Sequence, residues 1–321
     1  MRKGNIDFYK FIFACVIVIY HFNNAVSEGL FSRAGYNAVT FFFLVSGFFM
    51  TNTAMKKTIA DKGYGRDTFD FIKKKILGVV PEFYIAWIIA FIVSHIVDFN
   101  ISVCVMDAAK SIFDLLFLRM AGLFCYSPNT VSWYLSAMFI AMAIIWPILR
   151  KYTDVYLKVI APIAFVLMAG IFCHNYENMA SWNDWMGIMC SGLFRGIFCI
   201  MGGTVCWSIS NYLRKMQFSK GQQIMLDIIE IVSLIGVLLV MAVFESGVTD
   251  YGNLVLSMVF ISITTSGQTF TERFFDNKVV YALGEFSLSM FLGHTFWKSF
   301  LIYDLHLIET KGYPVVFVIY I

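Results

Sequence analysis

Long apolar runs separated by short polar breaks are the dominant pattern of this chain. Runs of roughly 20 apolar residues match the length a helix needs to cross a bilayer, and nine occur, at 6–26, 36–55, 79–97, 131–149, 155–173, 187–209, 224–244, 251–270 and 279–303. A tenth begins at Tyr313 and Pro314 and runs apolar to Ile321. Nine residues at ~1.5 Å each do not cross a ~30 Å hydrocarbon core, so the expectation is that this last span is cut short. Two connectors read as amphipathic helices, 107–121 and 68–76. No internal repeat, low-complexity run or second domain interrupts the pattern. The fold expected is all-α: one polytopic transmembrane bundle of about ten spans occupying residues 1–321.

Composition agrees. The 321 residues are 59% hydrophobic and 14% charged, against about a quarter charged in soluble domains. Charge placement then selects an orientation. With the N-terminus cytoplasmic, the inner segments hold Arg2 and Lys3, seven basic residues between Lys56 and Lys75, three between Arg150 and Lys158, three between Arg214 and Lys220, and Arg273 with Lys278; the outer loops hold only Arg33, Lys110, Arg119 and Lys311. That alternation follows the positive-inside rule throughout. It also accounts for the basic residues without nucleic acid. Arg2, Lys3, the apolar stretch 11–22 and Ala25-Val26-Ser27 imitate a signal peptide, but Asp7, Lys10 and His21 interrupt or flank its core and many spans follow, so the segment reads as a retained first helix. Of seven cysteines, none forms a CxxC pair or a metal-ligand cluster with histidine. Cys104 and Cys125 share one outer loop, which leaves a disulfide between them open.

Loops this short leave any chemistry to the helices. Ionisable side chains at membrane depth are costly and mark function, and the first span carries Asp7, Lys10 and His21. Asp7 and Lys10, three apart, can pair on one face. Lys10 and His21, eleven apart, share a face about 16 Å apart along the axis, so they mark two ends of one polar path. The bland alternatives are a snorkelling Lys10 and a carbonyl-bonded core His21. Elsewhere Glu82, Arg195, Glu230, His294 and Lys298 lie in or at spans. Ser46-Gly47 is equally suited to close helix packing, and Ser132-Trp133-Tyr134 to an aromatic belt. Buried charges on one stripe also suit a carrier that moves a glycan or small metabolite without chemistry; no sign of two related halves accompanies them.

Asp7-Phe8-Tyr9-Lys10, ten residues, then His21 resembles the opening helix of the acyltransferase 3 family, membrane-bound O-acyltransferases of bacterial surface glycans. Lys10 stands where that family usually has Arg, which keeps the charge and loses the planar fork. Phe42-Phe43-Leu44-Val45-Ser46-Gly47-Phe48 is similar to its second-helix motif, and Lys75, Pro81 and Tyr84 to its basic–Pro–Tyr entry to the third helix. Ser132-Trp133-Tyr134-Leu135-Ser136 with Pro147, Arg195 with Gly202-Gly203, and Gly284-Glu285-Phe286-Ser287 through Leu292-Gly293-His294 resemble later motifs in order. The resemblance implies a bacterial inner-membrane enzyme, N-terminus cytoplasmic, that transfers an acyl group, usually acetyl, from cytoplasmic acyl-CoA to a hydroxyl of an extracytoplasmic or lipid-linked glycan. It implies His21, Lys10 and Asp7 as the catalytic group, with His21 as general base and Lys10 on a donor phosphate or orienting the site. Ser46, Trp133, Tyr134, Arg195 and His294 are the substrate-binding candidates. The expected partners are acyl-CoA, a carbohydrate acceptor and the bilayer, with no metal and no tightly bound cofactor. No Ser or Cys stands out as a nucleophile.

Overall fold

The computed structural model describes residues 3–26, 29, 31, 33–56, 63–244 and 247–320. Arg2, Lys57 and Lys62 of the charge pattern, and Ser27 of the signal-like stretch, lie outside them. The helices in chain order are α1 (Gly4–Val26), α2 (Ala38–Lys56), α3 (Gly63–Leu77), α4 (Val80–Ile96), α5 (Ile101–Lys110), α6 (Ser132–Lys151), α7 (Thr153–Asn175), α8 (Ser191–Lys215), α9 (Lys220–Val243), α10 (Thr249–Thr264), α11 (Lys278–Ser299) and α12 (Tyr313–Tyr320). Local signals set their ends. Ser219 and Gln222 form a capping box at the start of α9. Asn277 caps α11 by accepting from the Val280 N–H at 3.1 Å. Pro81 sits in the first turn of α4, where a missing N–H costs nothing.

Six helices, α1, α2, α6, α7, α8 and α9, are long and apolar enough to cross a membrane, and seven if α3 and α4, bent by 51°, form one span. This is an all-α membrane bundle. The remaining sequence-predicted spans are helical but differ from expectation. The 251–270 run folds as α10, of 16 residues, and 279–303 as α11, in which Gly284, Glu285, Gly293, His294 and Lys298 dilute the apolar character. The α12 helix has 8 residues. The sixth span starts later than predicted: Trp185–Met186 and Met189–Cys190 pair as a small antiparallel hairpin turned at Gly187, φ +63°. Cys104 and Cys125 are free thiols, so the open disulfide does not form.

Packing centres on α8, which meets α2, α6, α7 and α10, while α1 packs chiefly on α11. Glycine makes the closest crossing possible. A Cβ added at Gly203 would lie 2.0 Å from the Leu44 carbonyl oxygen, and one at Gly47 would lie 2.0 Å from that of Ile200. Small residues at membrane helix crossings let backbones approach in this way. The amphipathic 68–76 stretch lies within α3, which docks on α6: the Phe71 ring stacks on Trp146 at 3.7 Å, and Asp67 accepts from Trp146 Nε1 at 2.9 Å and from Arg150 Nε at 3.0 Å. The 107–121 stretch is broken into short helical pieces rather than one helix. The outer faces of α4, α7 and α9 present Ile88, Ile92, Val166, Leu167, Ile228 and Val232, as lipid contact requires.

Candidate active site

The first helix carries its ionisable residues as the pattern predicts. Lys10 Nζ meets Asp7 Oδ1 at 3.1 Å, and Asp7 is buried. The pair is held from the far side by α11: a Cβ at Gly284 would lie 2.4 Å from Asp7 Cβ. That contact brings α11 beside α1 and sets the register of everything further along both helices.

Lys10 lines a cavity of about 370 Å³ between α1, α2, α3, α4, α6 and α11. Its walls near Lys10 include Lys75, Gly78, Glu82 and Glu285. Further in, the wall is Phe42, Ser46, Tyr134, Leu135 and Phe291. Ser46 Oγ and Tyr134 OH stand 3.4 Å apart, and Ser46 also donates to Met138 Sδ at 3.3 Å. Ser46 and Gly47 thus divide two tasks between two faces of α2: Gly47 meets α8, and Ser46 faces the cavity.

Beyond Phe291 lies a histidine pair. The rings of His21 and His294 have centroids 4.8 Å apart at 38°. His294 is buried, and its Nδ1 donates to the Phe291 carbonyl at 2.7 Å. A carbonyl only accepts, so this bond puts the proton on Nδ1 and leaves Nε2 as the acceptor. Nε2 is buried without a hydrogen-bond partner among the described residues. The turn carrying His294 is gripped from outside. Asn129, fully buried, donates from Nδ2 to the Leu292 carbonyl at 2.8 Å, and its Oδ1 accepts from Thr295 Oγ1 at 3.2 Å. Asn129 is itself anchored through Ser127, which donates to Asp114, as Ser132 and the Trp87 indole do. Burial raises the Asp114 carboxyl above its ordinary range, against the pull of those donors.

Two candidates stand elsewhere. Arg195 is 1% exposed, and its two terminal nitrogens are taken up by the protein itself: Nη1 donates to the Met179 carbonyl at 2.5 Å, and Nη2 to Thr40 Oγ1 at 2.7 Å and the Tyr36 carbonyl at 3.3 Å, while Nε has no hydrogen-bond partner among the described residues. Tyr36 and Asn37 donate in turn to buried Asp250, which also accepts from the Met179 N–H. Trp133 stacks on Trp182, centroids 5.7 Å apart, and neither Trp133 nor Arg195 lines the Lys10 cavity. Glu230 accepts from Tyr9, Thr264 and Thr271. The structure therefore brings together Lys10, Ser46 and Tyr134 around one cavity, with Asp7 paired to Lys10 behind it and His21 with His294 beyond it. Sequence reasoning did not single out Lys75 as a cavity residue, and it missed Phe291 and Asn129. Lys75 was visible as one of a run of topological charges and as the basic residue of the basic–Pro–Tyr motif, not as part of a cavity.

No metal-binding group of three or more His, Cys, Asp or Glu occurs among the described residues. A family model described as an acyltransferase domain, that of the acyltransferase 3 family, matches residues 3–321. Neither the curated proteins nor the solved structures gave a match.

Proposed function

Because the chain belongs to the acyltransferase 3 family, and is thus an acyltransferase, we propose that it moves an acyl group, in the first instance acetyl, from cytoplasmic acyl-CoA to a hydroxyl of an extracytoplasmic or lipid-linked glycan. One observation carries this reading. A cavity with Lys10 and Lys75 beside Glu82 and Glu285 at one end is followed, past Phe291, by the pair of half-buried His21 and buried His294, whose Nε2 has no partner among the described residues.

The chemistry follows from the ends. The donor is a polyanion, and Lys10 with Lys75 supplies charge for its phosphates. Its thioester arm then runs along α1, past the hydroxyls of Ser46 and Tyr134, which suit a carbonyl or amide as hydrogen-bond partners. From Lys10 to His21 is eleven residues, or about 16 Å along the helix, a span the extended arm of coenzyme A is of the right order to cover. At the far end the acceptor hydroxyl is far too weak an acid to react unaided. His21 takes its proton as the oxygen attacks the thioester carbon. The carbon–sulfur bond breaks, coenzyme A leaves as thiolate, and the proton held on the histidine pair returns to it. Family membership leaves no reason to retain the carrier reading. The N-terminus in this scheme is cytoplasmic.

The test is transfer of label. The purified protein, reconstituted in lipid with radiolabelled acetyl-CoA and a cell-surface glycan extract, should place label on the glycan in an alkali-labile ester. Label that stays on coenzyme A, or that moves only to amines, would contradict the reading.

A further inference from the structure

The donor cavity has an inner end, and one side chain makes it. Phe291 sits on α11 seven residues after Gly284, about 10 Å further along the axis, and three before His294. Its ring is buried and lines the cavity. Its centroid is 5.5 Å from that of Tyr134, 6.1 Å from Phe42 and 5.9 Å from His294. Neither His21 nor His294 lines the cavity. Among the described residues, Phe291 is the one that both lines it and makes a ring contact with the pair. The turn that carries the ring also holds the histidine, because the Phe291 carbonyl is the acceptor for His294 Nδ1 at 2.7 Å. A movement of this turn therefore carries the barrier and the histidine together.

From this geometry we propose that Phe291, closed against Phe42 and Tyr134, is the specificity-determining residue for the acyl group: it admits a short acyl chain to the end of the cavity and excludes longer ones. The inference rests on the donor reading above. A donor whose phosphates lie by Lys10 and Lys75 presents its acyl end to this ring. The cavity walls include the apolar Val39, Phe42, Leu135 and Leu288. In a closed apolar pocket a single methylene changes kcat/KM by roughly 10–200-fold, so the ring sets a sharp cut-off rather than a gradual preference.

The experiment is a chain-length series on the full protein in lipid nanodiscs. Free CoA, acetyl-, butyryl- and hexanoyl-CoA are titrated calorimetrically against wild type, Phe291→Ala and Phe291→Leu. Wild type should lose about tenfold or more in affinity between acetyl and butyryl. Measured against its own affinity for free CoA, Phe291→Ala should bring hexanoyl-CoA to within a few-fold of acetyl-CoA. Phe291→Leu, which keeps most of the packing, should fall between them and carries the comparison if the alanine variant does not fold. An identical chain-length profile in wild type and both variants, with free CoA binding intact, overturns the proposal and leaves the donor reading standing. Free CoA affinity that is unchanged by Lys10→Ala and by Lys75→Ala removes the donor from this cavity, and Phe291 with it.

Discussion

Replacing Lys10 by alanine perturbs two things at once, and the structure lets them be separated. Lys10 is 29% exposed at its side chain while its partner Asp7 is 7% exposed, so the variant strands a carboxylate that is almost wholly out of water. Breaking a fully buried pair by removing one partner costs about 3–5 kcal/mol. The half-open position of Lys10 and the other interactions of Asp7 bring this down, to about 1–3 kcal/mol on the scale of one buried group left unsatisfied. The second loss is a charge-assisted hydrogen bond to the donor phosphate, worth about 1.5–3 kcal/mol, or roughly 10- to 150-fold in Kd at 1.4 kcal/mol per decade. Lys10→Ala with Asp7→Asn removes the stranded charge, so the double variant should regain stability and stay weak for donor. Lys10→Arg should retain most of the affinity, since the charge remains. Calorimetric titration of CoA against the four proteins, with unfolding followed in the same lipid, reads both terms. A double variant that recovers wild-type CoA affinity would show that Lys10 acts only by neutralising Asp7.

The remaining expectations concern the supports of the site. Asn129→Ala should lower the transfer rate by about tenfold or more while leaving the Kd for CoA unchanged, because a misplacement of about 1 Å at a reacting group costs on the order of 10²-fold; a wild-type rate in this variant would remove Asn129 as the positioning residue of His294. Gly203→Ala drives a Cβ onto a backbone oxygen that has no rotamer to move, so reversible unfolding should show a loss of about 1–3 kcal/mol or more. Gly170→Ala, where nothing lies within 4 Å of the new atom, is the control and should change stability by less than about 1 kcal/mol. Equal stability of the two variants would mean that the α2–α8 crossing is not held by glycine.

Hydropathy found the helices because lipid contact and helix burial both demand apolar side chains, and it misjudged the places where that demand is not what shapes the backbone. The run from Gly187 to Cys190 is apolar enough to extend a span, yet a left-handed Gly187 and the hydrogen bond from the Ser191 N–H to the Asp184 carbonyl fold it into a hairpin. In α11 the interruptions at Gly284, Glu285 and His294 are cavity-lining or packing residues, so the helix that carries His294 has the weaker membrane signal. The stripe of Asp7, Lys10 and His21 was legible because a single helix fixes the relation among its own residues. What His21 faces was not legible, since His294 is 273 positions away and only packing joins them. Phe291 and Asn129 carried no signal at all: one is among 34 phenylalanines, and the other lies in a loop with no periodicity. Arg195 shows the opposite limit. A buried arginine reads as a ligand contact, yet here backbone carbonyls and Thr40 occupy both its terminal nitrogens.

The central claim, base catalysis at the histidine pair, is tested most directly by His21→Gln. The amide keeps a hydrogen-bonding group of similar reach and does not take a proton. A general base contributes roughly 10²–10⁴-fold to rate, so radiolabelled acetyl transfer by the reconstituted variant should fall by about two orders of magnitude or more, with the Kd for acetyl-CoA unchanged because the donor is held from the Lys10 end. Transfer by His21→Gln at the wild-type rate would contradict the account and leave His21 a structural neighbour of His294.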